Sequence, residues 1–321
     1  MPQPFAYGGQ ALIEGVMIRG QRAVALAVRR PDGTLATQLW SLPLFFQGAW
    51  RRVPLVRGLI ILAETLALGM RALTYSAQVA GGEEHNPSSR MAWGSVLVAL
   101  ALAVGIFLLL PLAGGKALLR VGLPVLLANL IEGMVRLGLF LGYLWLIGRA
   151  REIQRVFAYH GAEHMAIHAY EHGRPLTPAE VVPFPTAHPR CGTAFLLVVG
   201  MISILAFAFL RDLPLWQGAL ARLALVPLIA SVSYEVIRWG GQKAHLPMVR
   251  WLLAPSLALQ ALTTRTPDRE QIEVALTALR LALQEDGLLH PWAQPDAILH
   301  SAETPASLSA NSEGVENGPG H

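Results

Sequence analysis

The stretch WGSVLVALALAVGIFLLLP, residues 93–111, carries no charged side chain over its whole length. About 20 consecutive apolar residues cross the hydrocarbon core of a bilayer as a helix, so this run predicts a transmembrane segment and sets the fold class. Three further runs follow it. Residues 123–147 are long enough but contain Asn129, Glu132 and Arg136, residues 194–210 are uninterrupted, and residues 219–236 contain Arg222 and Pro227. Two other stretches, 55–70 and 246–262, are shorter or broken by charge. Composition agrees with this reading. Hydrophobic residues make up 53% of the 321 and charged residues 14%, whereas an ordinary globular chain is roughly a quarter charged. Mean hydropathy is +0.44. The expectation is a mainly α, polytopic membrane protein with about four transmembrane helices.

The distribution of charge predicts its orientation. Nine Lys or Arg precede Trp93 and five lie in the loop 148–190, against two in 112–122 and one in 211–218. By the positive-inside rule, both termini and the long loop face the cytoplasm, and the protein belongs to the cytoplasmic (inner) membrane. No cleavable signal peptide is expected, because Glu14 and Arg19 interrupt the first twenty residues. Net charge is +4 and the pI is near 9.6, yet the arginines are scattered over loops and not massed on one element. The partner this predicts is membrane lipid, not nucleic acid. The single cysteine, Cys191, excludes an intramolecular disulfide framework.

Outside the spans, residues 23–30 and 34–40 read as two strands around the turn Pro31-Asp32-Gly33. An isolated hairpin is marginal in water, so this one must pack on something. Arg57, Glu64 and Arg71 recur every seven residues along an apolar stretch, the pattern of an amphipathic helix at the interface or covering the bundle. Thr266 is expected to cap a helix opened by Pro267, with Ile272, Ala275, Leu276, Leu279 and Leu283 as its apolar stripe. The expected organisation is a cytoplasmic N-terminal region 1–92, a membrane domain 93–265 with the His-rich loop 148–190, an amphipathic helix 266–289, and a disordered tail 290–321. Glycines crowd the N-terminus at Gly8, Gly9, Gly15 and Gly20 without a phosphate-loop pattern, so close backbone packing is the simpler account. Residues 12–17 (LIEGVM) echo residues 130–135 (LIEGMV). Chance similarity explains this better than a duplicated half, and no inverted repeat supports a transporter built on Glu132 and Arg136.

The chemistry concentrates in Tyr159-His160-Gly161-Ala162-Glu163-His164. His160 and His164 are one helical turn apart and can reach one ion. Glu163 stands between them in the H-x-x-E-H order of inverted zincins, where the carboxylate is the general base. His168 and His172 continue the four-residue spacing, and Glu171 shares their face. His188-Pro189-Arg190-Cys191 supplies a second group, in which His188 and Cys191 are spaced as one half of a zinc site often is. His188 and Cys191 could instead form a nucleophilic pair, and Glu235 could reach the site from the fourth span. The bland reading is a polar helix with surface imidazoles and an inert buried thiol.

Four separated motifs together resemble the bacterial YqhQ family. They are Tyr7 to Met17 (YGGQALIEGVM), Tyr159 to His164 (YHGAEH), His188 to Thr193 (HPRCGT) and Leu262 to Asp268 (LTTRTPD). That family has no assigned function and is described as predicted metal-dependent enzymes. The resemblance implies a metal site built from His160, Glu163, His164, His188 and Cys191. One departure is Met165, where relatives commonly carry lysine, which would remove a charged contact. The function expected is metal-assisted hydrolysis, proteolysis included, with a divalent transition metal such as zinc on His160, His164 and His188 or Cys191, and Glu163 catalytic. The alternative is a membrane scaffold or assembly factor with a closed structural zinc.

Overall fold

The computed structural model describes residues 5–42, 53–81, 89–243 and 246–288. The tail expected to be disordered lies outside them. Strands β1 (Gly8–Leu12), β2 (Gly15–Arg19), β3 (Ala23–Arg29) and β4 (Leu35–Ser41) form one antiparallel sheet in sequence order. The predicted hairpin is β3–β4, and two more strands extend it. The β1–β2 pair was not anticipated because its strands are short and glycine-rich, and because β2 is buried almost throughout, which removes the polar–apolar alternation of a half-exposed strand. The echo between 12–17 and 130–135 is not a structural repeat, since the first copy is this tight hairpin and the second lies in a helix.

Helix α1 (Val56–Gly81) covers one face of the sheet, packing Leu68 and Ala72 against Leu12, Met17, Val24, Leu26 and Val28. The helices that follow are α2 (Ser89–Val104), α3 (Leu110–Arg120), α4 (Val125–Ile147), α5 (Arg151–Glu171), α6 (Pro178–Val181), α7 (Gly192–Ala208), α8 (Leu215–Gln242), α9 (Pro247–Thr263) and α10 (Arg269–Glu285). The opposite face of the sheet, with Val16, Ile18, Ala25 and Ala27, packs on α5 and α10. The expected N-terminal region, His-rich loop and C-terminal helix therefore build a single layered unit. Met165 is 3% exposed in its core, so methionine fits that position by packing and no charge is needed there.

The cap of α10 differs from expectation. Asp268, not Thr266, is the N-cap: its carboxylate accepts the Gln271 amide N–H at 2.8 Å, and the Gln271 side chain accepts the Asp268 N–H at 3.0 Å. This reciprocal capping box satisfies two otherwise orphaned donors. The charged stripe of α1 is consumed inside the protein. Arg57 pairs with Glu235 of α8, Glu64 with Arg19 of β2 at 3.0 Å, and Arg71 stands over the Trp40 ring at 4.1 Å.

Among the described residues, three helices are long and apolar enough to cross a membrane: the continuous segment Val96–Arg120, α4 and α8. The expected span at 194–210 is α7, which is apolar but only 17 residues long. It packs between α4, α8 and α9. A π-helical turn, Gly105–Leu109, interrupts the first long helix, and the Phe107 carbonyl there accepts from Arg136 Nε at 2.9 Å. Such turns loosen the i,i−4 ladder and leave a carbonyl available. Glu132 pairs with Arg136, as its spacing suggests, but also with Arg222 of α8 through bonds of 2.9 and 2.6 Å. Glu132 is 2% exposed and Arg222 3%.

Charges held away from water are costly unless paired, and removing one member leaves the others uncompensated. Glu132→Ala should therefore cost about 3–5 kcal/mol, measured by chemical unfolding of the detergent-solubilised protein. A loss below about 1 kcal/mol, the size typical of an exposed pair, would show that this trio does not hold α4 to α8.

Candidate metal centre

Helix α5 is buried on most sides, and this burial determines what its histidines can do. The sheet and α10 cover one flank, and the segments 184–188 and 263–265 lie across the other. His164 is 2% exposed and Glu163 3%. The reading of these residues as a solvated polar face is thereby excluded.

Gly161 explains how the helix is crossed so closely. A Cβ built on it would stand 2.3 Å from the Arg265 carbonyl oxygen. The motif residue between the ligands is thus a packing requirement, with nothing in its spacing to signal it. Beside it, Arg265 N–H donates to the Phe157 carbonyl at 2.9 Å, ending the α5 contact in a strand-like bond.

Three imidazoles of α5 are each fixed by a carbonyl from another segment. His160 Nδ1 donates to Thr263 O at 2.8 Å, His164 Nδ1 to Thr186 O at 2.6 Å, and His168 Nε2 to Ala187 O at 2.9 Å. A carbonyl can only accept, so each bond places a proton on the bonded nitrogen, and in the neutral ring the other nitrogen keeps its lone pair. For His160 and His164 that nitrogen is Nε2. Such outer bonds are how metal-binding imidazoles are oriented and made more basic.

Cys191 caps α7, with the Thr193 N–H donating to Sγ at 3.4 Å. Its Sγ lies 3.2 Å from His160 Nε2. One donor atom from each of His160, His164 and Cys191 falls within 4.8 Å of the others. Two imidazoles and a thiol form a soft N/S donor set suited to zinc, so these residues fit the metal expected. The fit rests on donors brought together from α5 and from a point roughly thirty positions away.

His188, expected among the ligands, is turned elsewhere. Its Nδ1 accepts the Arg190 N–H at 3.2 Å and its Nε2 faces Glu171 Oε2 at 3.4 Å. It groups with His168 and Glu171, and Glu171 is further held by Arg190. The backbone of His188 is locked by Gln260, whose side chain accepts its N–H at 2.8 Å and donates to its carbonyl at 2.9 Å. The alternative His188–Cys191 nucleophilic pair is not formed. Glu235 is committed to Arg57, which donates from Nε at 2.7 Å, and is no ligand.

Electrostatics separates acid from bases. Burial pushes the Glu163 carboxyl above its usual range, against the opposing fields of His160 and His188 and a hydrogen bond from the Gly9 backbone. Burial pulls His164 below its usual value and brings His168 and His188 to about 4 each. These three imidazoles are neutral at pH 7. Beyond the ligands lies a cavity of about 390 Å³ lined by β1, α1, α5 and the adjoining ends of α7 and α8.

Several supporting groups carry no signature of their own in the sequence. Thr186 and Thr263 act through main-chain carbonyls, Gly9 through its amide, and Gln260 through a side chain on a membrane-adjacent helix. Glu14, in the β1–β2 turn, receives both Arg155 and Tyr159 of α5. The first and fourth sequence motifs are thus scaffolding around the second.

Comparison with known proteins identifies relatives without an activity. Residues 53–285 match the model of the family described as protein of unknown function, DUF1385. A relative from Bacillus subtilis (strain 168), "Uncharacterized protein YqhQ", is 31% identical over 303 residues, which are 89% of this chain and 94% of the relative. No solved structure matches.

Placing a methyl group against a main-chain carbonyl forces α5 away from residues 263–265. Gly161→Ala should lower stability by about 1–3 kcal/mol and weaken retention of any metal on His160. Gly138, by contrast, has open space around it on α4, and Gly138→Ala should be neutral or slightly stabilising. Thermal unfolding of the two variants beside the unaltered protein makes the comparison.

Proposed function

The chain belongs to the DUF1385 family, and we propose that it is a membrane-bound hydrolase with one zinc ion on His160, His164 and Cys191. The observation that carries this reading is the convergence of three unlike donors within 4.8 Å beside the buried carboxylate of Glu163, at the end of a large cavity. Three protein ligands leave a fourth position open, which separates catalytic from structural zinc. Held by these three residues, zinc would supply Lewis acidity at the ligand end of the cavity.

The residues of the chain do the rest. Thr186 and Thr263 hold the two imidazoles in the tautomer that presents Nε2. Glu163 takes the proton from the attacking water and returns it to the leaving group. Its burial raises its basicity, and the Gly9 amide keeps the carboxylate in place. The apolar walls of the cavity exclude bulk water, which strengthens these charges locally.

The same proposal includes a four-span topology in the cytoplasmic membrane, with both termini and the metal site on the cytoplasmic side. Its support is the position of α7 inside the bundle and two sets of exposed aromatics. Phe209 and Trp216 stand at one end, and Trp145, Trp239 and Trp251 near the other, as at membrane interfaces. At 1.5 Å per residue the 17 residues of α7 reach about 25 Å, close to the hydrocarbon thickness. A membrane-impermeant thiol reagent on intact cells should label Val121→Cys and miss Arg174→Cys. The reverse result would invert the topology.

A structural zinc is the second reading, favoured by the near-complete burial of His164 and Cys191, which would tie α5 to α7. Metal analysis and activity together decide. The purified protein should hold about one zinc, and His160→Ala with His164→Ala should hold none. Glu163→Gln should keep the zinc and lose about 10²- to 10⁴-fold in hydrolysis. Retained activity in a metal-loaded Glu163→Gln protein would leave only the structural role.

A further inference from the structure

The cavity beside the candidate ligands is amphipathic. Its wall combines those residues and Glu163 with Ile61 and Leu62 of α1, Phe195 of α7 and Ile237 of α8, and the Arg19–Glu64 ion pair also borders it. Two of those helices belong to the membrane bundle. The outer surface of α1 is itself apolar, exposing Leu59, Leu66 and Met70 at 40%, 61% and 44%. A molecule reaching the site along α1 therefore meets hydrocarbon-like surface both outside the cavity and within it.

From this we propose that the cavity binds a single-chain acyl lipid, with its carbonyl head at the ligand end and its chain along Ile61, Leu62, Phe195 and Ile237. The proposal rests on the hydrolase reading of the same site and names its substrate class as an acyl ester, whose C–O bond is cleaved by water to release the alcohol and leave the acyl carboxylate, so that a fatty acid is a product-like probe of the same cavity. An extended peptide is the less suitable occupant. Such a substrate is held by main-chain bonds to an open strand edge, but β1, the edge strand nearest the site, is lined by α5, and its Gly9 backbone is already bonded to Glu163. A cavity of this volume lies within the ~300–1,000 Å³ of small-molecule sites. Its apolar length offers about 0.8 kcal/mol per buried methylene relative to water, close to fourfold in affinity for each.

The test is photolabelling with hexadecanoic acid bearing a mid-chain diazirine, applied to the full-length protein in native membranes. Label mapped by mass spectrometry should fall on Leu62, Phe195 and Ile237. Leu62→Trp and Phe195→Trp, which fill the cavity from different helices, should each reduce that label at least tenfold without changing metal content. Unlabelled hexadecanoic acid should compete. Label confined to Leu59, Leu66 and Met70, and equal in both variants, would overturn the proposal, because it would report annular lipid only. Metal content is measured on the same samples, which separates the two failures. Zinc present with annular label sinks the acyl-lipid site alone, whereas cavity label without zinc sinks the zinc hydrolase and leaves the lipid site standing.

Discussion

The hydrogen bonds from three α5 imidazoles to main-chain carbonyls of distant segments hold this structure's centre together. Thr263 and Thr186 are not adjacent to α5 in sequence, and each comes from a segment that leads to or from the membrane bundle. A buried polar nitrogen without a partner would cost about 1–3 kcal/mol, so these contacts are obligatory once the helix is enclosed. They orient the rings, and they also fasten the sheet-containing layer to the spanning helices. The placement of the His160 and His164 rings and the joining of the sheet-containing layer to the bundle both follow from this one set of bonds.

The membrane bundle obeys the same rule at a different place. One carboxylate, Glu132, satisfies two guanidinium groups from α4 and α8, and the Phe107 carbonyl freed by the π-helical turn takes a further donor. Arg136 and Arg222 also lie over the Phe207 ring at 5.1 and 5.5 Å, a placement that favours cations. Pairing therefore accounts for most of this charged cluster, with Arg136 Nη1 left as a buried donor without a hydrogen-bond partner among the described residues. The neighbouring space is about 10 Å³, roughly one water.

Much of this was legible in the sequence. The uncharged run at 93–111, the β3–β4 turn at Asp32-Gly33, and the one-turn spacing of His160 and His164 each carry a local signal that tertiary packing leaves intact. What was not legible depended on partners remote in sequence. No periodicity indicates that His188 turns to Glu171 or that Arg222 joins Glu132. Asp268 displaced Thr266 as a cap because Gln271 lies three residues beyond it, a pairing overlooked beside the more obvious proline. The strands β1 and β2 escaped because they are short, because β2 is buried almost throughout and so lacks alternation, and because glycine contributes no side chain to read.

The layered unit is assembled from three widely separated pieces of chain: the sheet, α5 and α10. Its order of synthesis is therefore constrained. Ala25 and Ala27 face residues of α10 that begin at Ile272, so the sheet emerges with one face uncovered and stays so while every membrane helix is made. At ~5–20 residues per second, the roughly 240 residues between β3 and α10 take on the order of tens of seconds. During that interval an apolar strand surface is open to other chains, and such surfaces are aggregation-prone. Synthesis of the bundle helices thus precedes completion of the layer that holds α5.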